Sequence, residues 1–520
     1  MSQQNNLNRK KMYGQFFAEL LKDKYMRILL AIFLVSIIIR VYIFFTTLNQ
    51  PLWWDEADYT STARRWGLGL NVNDVWYYRR TFFLPLLWAG LFAIGGNETL
   101  LRLSELLFSV AVVFLTYYVG KEMFNKKVGL FAAFFASISR IALFLTGRLL
   151  NETPAVAFLL AGLLFFWKGY IKDENKKYIW LAALFFALAI STRLATFLSL
   201  VPIAILIFTK EKFKFFKNKH LWIAAFIILL VLSPFFYLYY THYGANSIMD
   251  FIGHYMATAP DQGDTVLLGI PGIWQYFMNL LPNSSLPVFI FFIFGLIIIL
   301  FNLMGIDLLF KKEGDEVRKT VFILLWIAVP IIYHGLYSEY MQERYLMWIY
   351  PIVFSLAGLG AIKIYDIIRK KSKTIAIICI AAVLLFAAYN QVSAARDIII
   401  FKEDSYLQVK QSGEWLKENT EPTDVIISKS RQHNYYTDRP VYNIHNMTEA
   451  EFEKEYLPLN PKYWVVSIYE YHPDWAYTYA QRHNETFIPV KVYMQDKTNP
   501  SIVIYEFTNR TIASLPSHTS

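Results

Sequence analysis

The stretch Trp53-Trp54-Asp55-Glu56-Ala57-Asp58-Tyr59, WWDEADY, comes just after the first long apolar run of the chain, Met26–Leu48. That run is too long for the core of a signal peptide and has no small-residue cleavage site, so it reads as a retained membrane-spanning helix. The tryptophans then stand where a chain leaves the hydrocarbon, the usual depth of an aromatic belt. Anchoring does not require three carboxylates, and Asp55, Glu56 and Asp58 concentrate negative charge at one membrane exit.

Working outward, apolar runs long enough to span recur near 98–119, 128–147, 221–241, 286–305, 320–337, 345–362 and 374–391. Shorter runs near 155–169, 178–191 and 196–208 read as short or tilted helices, giving about eleven spans. With 520 residues, 56% hydrophobic and 18% aromatic, the chain reads as a polytopic α-helical membrane protein. Its net charge of +10 gathers in short loops between apolar runs, which points to the membrane surface and not to nucleic acid. A single cysteine, Cys379, allows no intrachain disulfide and argues against a cysteine-based zinc site.

Lysine and arginine lie in alternate loops: the N-terminal segment, 121–127, 168–177, 210–219, 311–319 and 363–373. The positive-inside rule places these in the cytoplasm, together with the N-terminus. An odd number of spans puts the C-terminal region outside. Six N-x-[ST] sequons, at Asn97, Asn151, Asn283, Asn446, Asn484 and Asn509, fall on the external side in this map. Residues 49–97 form one external segment, in which TFFLPLLWAGLFAIGG (81–96) predicts a helix lying at the interface. After about residue 393 the chain turns polar. Strand-like DVIIS (424–428), YWVVSIY (463–469) and SIVIYEF (501–507) alternate with helical patterns, predicting a small extracytoplasmic α/β domain. The expected organisation is a membrane domain over 1–392 and a soluble domain over 393–520.

Other external turns carry cations. Arg148 and Glu152 stand in TGRLLNETP (146–154), Arg193 in STRLATF (191–197), Arg344 in MQERYLMWIYP (341–351), and Arg79 and Arg80 in YYRRTFFLPL (77–86). Each arginine alone is most simply a surface anchor, and a glutamate at a helix start most simply a cap. Taken together, carboxylates able to remove a proton and arginines able to hold a phosphate suit glycosyl transfer from a lipid-phosphate sugar.

WWDEADY, the interfacial helix and ETLLRLSELLFSVAVVFLTYYVGKEMF together resemble the start of the GT-C membrane glycosyltransferases, among them protein O-mannosyltransferases and the lipid A aminoarabinose transferase. ERYLMWIYPIVFSLAGLGAI (343–362) and GEWLKENTEPTDVIIS extend the likeness. The resemblance implies a GT-C fold and an inverting transfer of a sugar from a polyprenyl- or dolichyl-phosphate donor to a hydroxyl of a lipid, glycan or protein acceptor at the outer face. It makes Asp55 the general base, with Glu56 positioning sugar or acceptor. Glu152 takes the acidic place in the second external loop, where relatives usually have Asp. Arg79 or Arg80 falls near the lipid phosphate, although the family's Pro-Pro pair is reduced here to Pro85. Arg148, Arg193 and Arg344 match further basic positions. No cofactor is demanded, but a divalent metal on Asp55 and Asp58 is an alternative, as in an oligosaccharyltransferase that moves a whole lipid-linked glycan. A transporter or lipid flippase is the rival of another class; it would place its charges near the bilayer centre.

One more pairing is expected. Glu105 and Arg140 each sit about seven residues into neighbouring spans, roughly 10 Å deep at ~1.5 Å per residue. A charge at that depth needs a partner, and each is the nearest candidate for the other.

Overall fold

The computed structural model describes residues 22–70, 81–243, 269–337, 342–444 and 447–508. Arg79, Arg80, Asn446 and Asn509 lie outside them. Contacts divide the chain into two compact units. One holds the described residues up to Thr47 and Arg102–Ile400; the other holds Leu48–Leu101 and the described residues from Phe401 onward. The second unit is therefore discontinuous. It joins the acidic segment to the C-terminal domain, where the sequence suggests a simple division near 392.

The first unit is helical. Among the described residues nine helices are long and apolar enough to cross a membrane, as judged by length and composition. They are Lys24–Thr47, Glu98–Met123, Glu152–Ile171, Leu194–Lys217, Lys219–Thr241, Leu286–Leu308, Asp315–Tyr337, Tyr350–Arg369 and Lys373–Phe401. The chain is a multi-pass membrane protein. Two of the three runs that read as short, near 155–169 and 196–208, belong to these long helices. The third is the sixteen-residue helix Lys177–Thr192, and 128–147 is not one helix. It breaks at Ser139 (φ −55°, ψ 124°) into Lys126–Ile138 and Arg140–Phe144.

Arg40, fully buried in the first span, holds that break. Its guanidinium donates to the carbonyls of Ser137 (2.9 Å) and Ala136 (3.2 Å), and to the hydroxyls of Ser36 and Ser109. The last carbonyls of a helix have no partner within it and carry the negative end of its dipole, so a cation is a fitting cap. Where Leu286–Leu300 meets Tyr350–Arg369, a Cβ on Gly295 would lie 1.9 Å from the Leu356 carbonyl oxygen, and one on Gly360 2.0 Å from that of Phe291. Only glycine permits so close an approach of two membrane helices.

In the second unit, Trp54–Leu68 and Phe83–Ala93 are helices. The latter is a helix within 81–96, where the sequence predicts one. The C-terminal part carries a five-stranded sheet of β1 (Ile426–Ser428), β2 (Val441–Asn443), β3 (Tyr463–Ser467), β4 (Phe487–Met494) and β5 (Pro500–Phe507). Its order is β2-β1-β3-β5-β4, with β1 parallel to β2 and β3, and β5 antiparallel to β3 and β4. Three strands follow the apolar runs of the sequence. β2 is only three residues long, and β4 is mostly exposed, so neither has the hydrophobic pattern of a buried strand. Trp464, Phe452, Tyr479 and Phe487 form an aromatic core on one side of the sheet.

Candidate functional site

In the second unit the acidic segment opens a helix. Glu56 is fully buried, and its Oε2 accepts the Trp53 backbone N–H at 2.7 Å, three residues back. This is the carboxylate half of a capping box, the Trp53 indole being unable to accept in return, so Glu56 has a structural task at the position the resemblance gave to sugar binding. Asp55 stands in the same first turn, half-buried, where the helix dipole favours a carboxylate. Asp58 forms an ion pair with Arg431 at 2.9 Å. Further along, Arg64 pairs with Asp438 at 2.8 Å and donates to the Tyr435 carbonyl, and the Leu52 N–H donates to the Tyr436 hydroxyl at 2.8 Å. The short helix Gln432–Thr437 and its flanks thus hold the acidic helix at both ends. A divalent cation on Asp55 and Asp58 would have to displace the Arg431 guanidinium, so this pair fits a metal poorly.

In the first unit, Glu152 begins its helix with 2% of its surface exposed. Its Oε1 accepts from Arg193 Nη1 at 2.9 Å and lies 3.4 Å from Arg344 Nε, so two arginines share one carboxylate. Arg193 also donates to Asn151 Oδ1, and its guanidinium packs 5.3 Å from the centre of the Tyr345 ring. The Arg193 Nε–H is buried and has no acceptor among the described residues. Arg148 is buried in the preceding turn. There Gly147 takes φ +78°, a left-handed backbone that suits glycine, and its carbonyl accepts from Arg102 at 3.0 Å.

The expected Glu105–Arg140 pair does not form. Arg140 pairs with Glu343 and donates to Asn283 Oδ1 at 3.2 and 3.3 Å, and its backbone N–H donates to Gln391 at 2.9 Å. Glu105 is buried elsewhere in the same unit. The break at Ser139 is the reason. The Arg140 side chain projects from a new short helix, so its direction no longer follows from its depth along one continuous helix. Asn283 and Asn151 are themselves buried in this bonding, so those sequons are not exposed acceptors; Asn97 and Asn484 are exposed.

Sequence reasoning missed Arg40, Glu343 and Arg431. Arg40, deep inside the first apolar run where Arg27 only flanks its start, was a readable signal. Nothing local distinguished Arg431 from any other surface arginine.

Comparison with known proteins adds three findings. A family model for dolichyl-phosphate-mannose-protein mannosyltransferases matches residues 79–238. No curated protein sequence matches the chain. Solved structures similar to it include ArnT from Cupriavidus metallidurans, at 11% identity and a TM-score of 0.62, covering 91% of this chain and 97% of that one. The same enzyme bound to undecaprenyl phosphate matches at 12% identity and a TM-score of 0.62. The Archaeoglobus fulgidus oligosaccharyltransferase matches at 14% identity and a TM-score of 0.63, covering 86% of this chain and 70% of that one. At these identities the likeness is one of fold.

Proposed function

We propose that this chain, built on the fold of the GT-C membrane glycosyltransferases, moves a sugar from a polyprenyl- or dolichyl-phosphate donor to an acceptor hydroxyl. The observation that carries the reading is the buried guanidinium of Arg193, held by Glu152 and Asn151 yet with an Nε–H that lacks an acceptor among the described residues. A phosphate oxygen would satisfy that donor, and an arginine fixed in advance stabilises a leaving phosphate without rearranging. Arg344 shares Glu152 and Arg148 lies in the neighbouring turn, so both belong to the same cationic region. Glu152 acts here by orienting arginines.

Among the three acids of the opening segment, Glu56 caps its helix and Asp58 pairs with Arg431; the role of base falls to Asp55 through its resemblance to the acidic pair of the GT-C family. The carboxylate takes the acceptor proton as the acceptor oxygen bonds the sugar carbon from the face opposite the breaking bond to the lipid phosphate, which leaves as the free phosphate; this single displacement inverts the carbon. Such a base contributes roughly 10²–10⁴-fold. The lipid-phosphate donor is supported by the match to the mannosyltransferase family model and by the fold shared with an enzyme solved with undecaprenyl phosphate. A second reading, transfer of a whole lipid-linked glycan, draws on the likeness of fold to the archaeal oligosaccharyltransferase, which covers less of that chain. Charge asymmetry of the loops supports a cytoplasmic N-terminus and an external C-terminal region, with transfer on the outer side.

Asp55→Asn keeps the size and removes the basicity. The purified variant should lose about 10²-fold or more in turnover and still bind donor lipid. Near-wild-type turnover would remove Asp55 from the mechanism. Mass spectrometry of glycans from cells with and without the gene identifies the product and separates single-sugar from whole-glycan transfer.

A further inference from the structure

We propose that the carboxyl edge of the C-terminal sheet, where β1 and β3 end side by side, is a binding site for a hydroxyl-rich saccharide group. The sheet order makes this a switch point. The chain leaves β1 toward β2 on one side and leaves β3 toward β4 and β5 on the other. Ligands of open α/β sheets bind beyond strand ends of this kind, where no crossover covers the gap.

The two loops that start there are rich in buried polar groups. Ser428 and Ser467 end the strands. Beyond them Ser430 donates to Gln432 Oε1 at 2.7 Å, and Ser467 donates to the Glu470 carboxylate. Gln432, Glu470 and His472 are each at most 2% exposed. Yet Gln432 Nε2 and both ring nitrogens of His472 have no hydrogen-bond partner among the described residues. Buried polar atoms are nearly always satisfied, so several orphans in one place point to a missing partner. Lys429 bonds the Tyr471 carbonyl across the two loops, and its ammonium lies 5.5 Å from the centre of the Tyr471 ring. Tyr471 is 53% exposed, and Tyr477, whose ring lies 5.6 Å from that of His472, is 39% exposed.

This set selects its ligand. A carboxylate accepts hydroxyl protons and an amide NH₂ donates to hydroxyl oxygens. Burial holds His472 neutral, with its pKa lowered to about 4, so its imidazole offers one donor and one acceptor. Exposed tyrosine faces suit the C–H side of a sugar ring. A phosphate would meet the Glu470 carboxylate. A peptide strand would need an open sheet edge, and β1 and β3 both have strands on each side. Arg431, between the polar residues, holds Asp58 of the acidic segment. The loop that would bind the saccharide therefore also fixes the helix that bears Asp55. Only the naming of this saccharide as the acceptor rests on the proposed function; the binding stands apart from it.

The test uses full-length protein in lipid nanodiscs and saturation-transfer NMR, with a panel of methyl glycosides of neutral hexoses and pentoses at millimolar concentration. At least one glycoside should receive saturation from wild-type protein. The signal should weaken by roughly tenfold or more in Gln432→Leu and in His472→Phe, each checked for an unchanged melting temperature. Tyr471→Ala, at an exposed position, provides a variant that does not disturb the core and should also weaken it. No transfer to any glycoside from folded wild-type protein means that buried waters alone satisfy these atoms, and the proposal falls. It falls equally if the signal persists in all three variants. Asp55→Asn should keep the binding; glycoside binding without any detectable sugar transfer by wild-type protein would defeat the proposed function and leave this site standing.

Discussion

Arg140 and Glu105 illustrate how far a single residue can be read without its neighbours. Depth in a span can be counted from sequence, and both charges are indeed within the helical unit. Direction cannot be counted once a helix breaks, and Ser139 gives no sign of the break that turns Arg140 toward Glu343 and Asn283. Two double-mutant cycles on the purified protein should separate the expected pair from the observed one. Arg140→Gln and Glu343→Gln should couple by about 0.5–3 kcal/mol in thermal or denaturant unfolding. Arg140→Gln and Glu105→Gln should add within about 0.5 kcal/mol. Coupling in the second cycle and none in the first would restore the original pairing. At Arg193, replacement by lysine retains the charge but removes the Nε–H proposed for the phosphate and the planar guanidinium whose Nη1 serves Glu152 and Asn151. Arg193→Lys should bind undecaprenyl phosphate roughly tenfold or more weakly, measured with the purified protein; unchanged affinity would take Arg193 out of the donor site.

Elements were more legible than partnerships. The apolar runs marked the spans, and three of the five strands lay in recognisable hydrophobic stretches. β2 and β4 did not, because a three-residue strand and an exposed edge strand need no alternating core face. The start of the Trp54–Leu68 helix was visible as acids following tryptophans. What holds that helix was invisible, since Asp58 and Arg431 are 373 residues apart in sequence. Asp58→Asn or Arg431→Gln should lower turnover and speed amide hydrogen exchange over 54–68, and the two together should not lose much more than either alone. Fully additive losses, or unchanged exchange, would mean the pair does not hold the helix. The same small domain carries an acid-sensitive point. His433 is fully buried, with the hydroxyls of Ser412 and Ser428 on its two nitrogens, and burial lowers its pKa to about 4 from 6.5. A lowered histidine pKa means the unfolded chain binds the extra proton first. The domain should keep full stability above pH ~6.5 and lose on the order of 2 kcal/mol as pH falls toward 4. Melting followed from pH 7 to pH 4 should show this slope, with a like contribution from His472, whose pKa burial lowers equally, and His433→Gln should reduce it; an equal slope in the variant would assign the acid sensitivity elsewhere.

The whole molecule consists of two units that do not follow chain order. Leu48–Leu101 is made early and packs with residues made last, so Leu52 waits for Tyr436 and Asp58 for Arg431. A chain ending at residue 400 should insert its membrane helices and yet leave 54–68 unprotected in hydrogen exchange. Protection equal to that of the full chain would show that the acidic helix folds alone. Timing on the ribosome follows from the same arrangement. At bacterial or eukaryotic synthesis rates the 373 residues between Asp58 and Arg431 take roughly 20–75 s to make. Throughout that interval spanning helices are already entering the bilayer, and the segment with the proposed base has none of its later partners. An unfinished or prematurely terminated chain would thus hold the segment with the proposed base without its partners, and completion of the last domain would act as the licence for the proposed activity to begin.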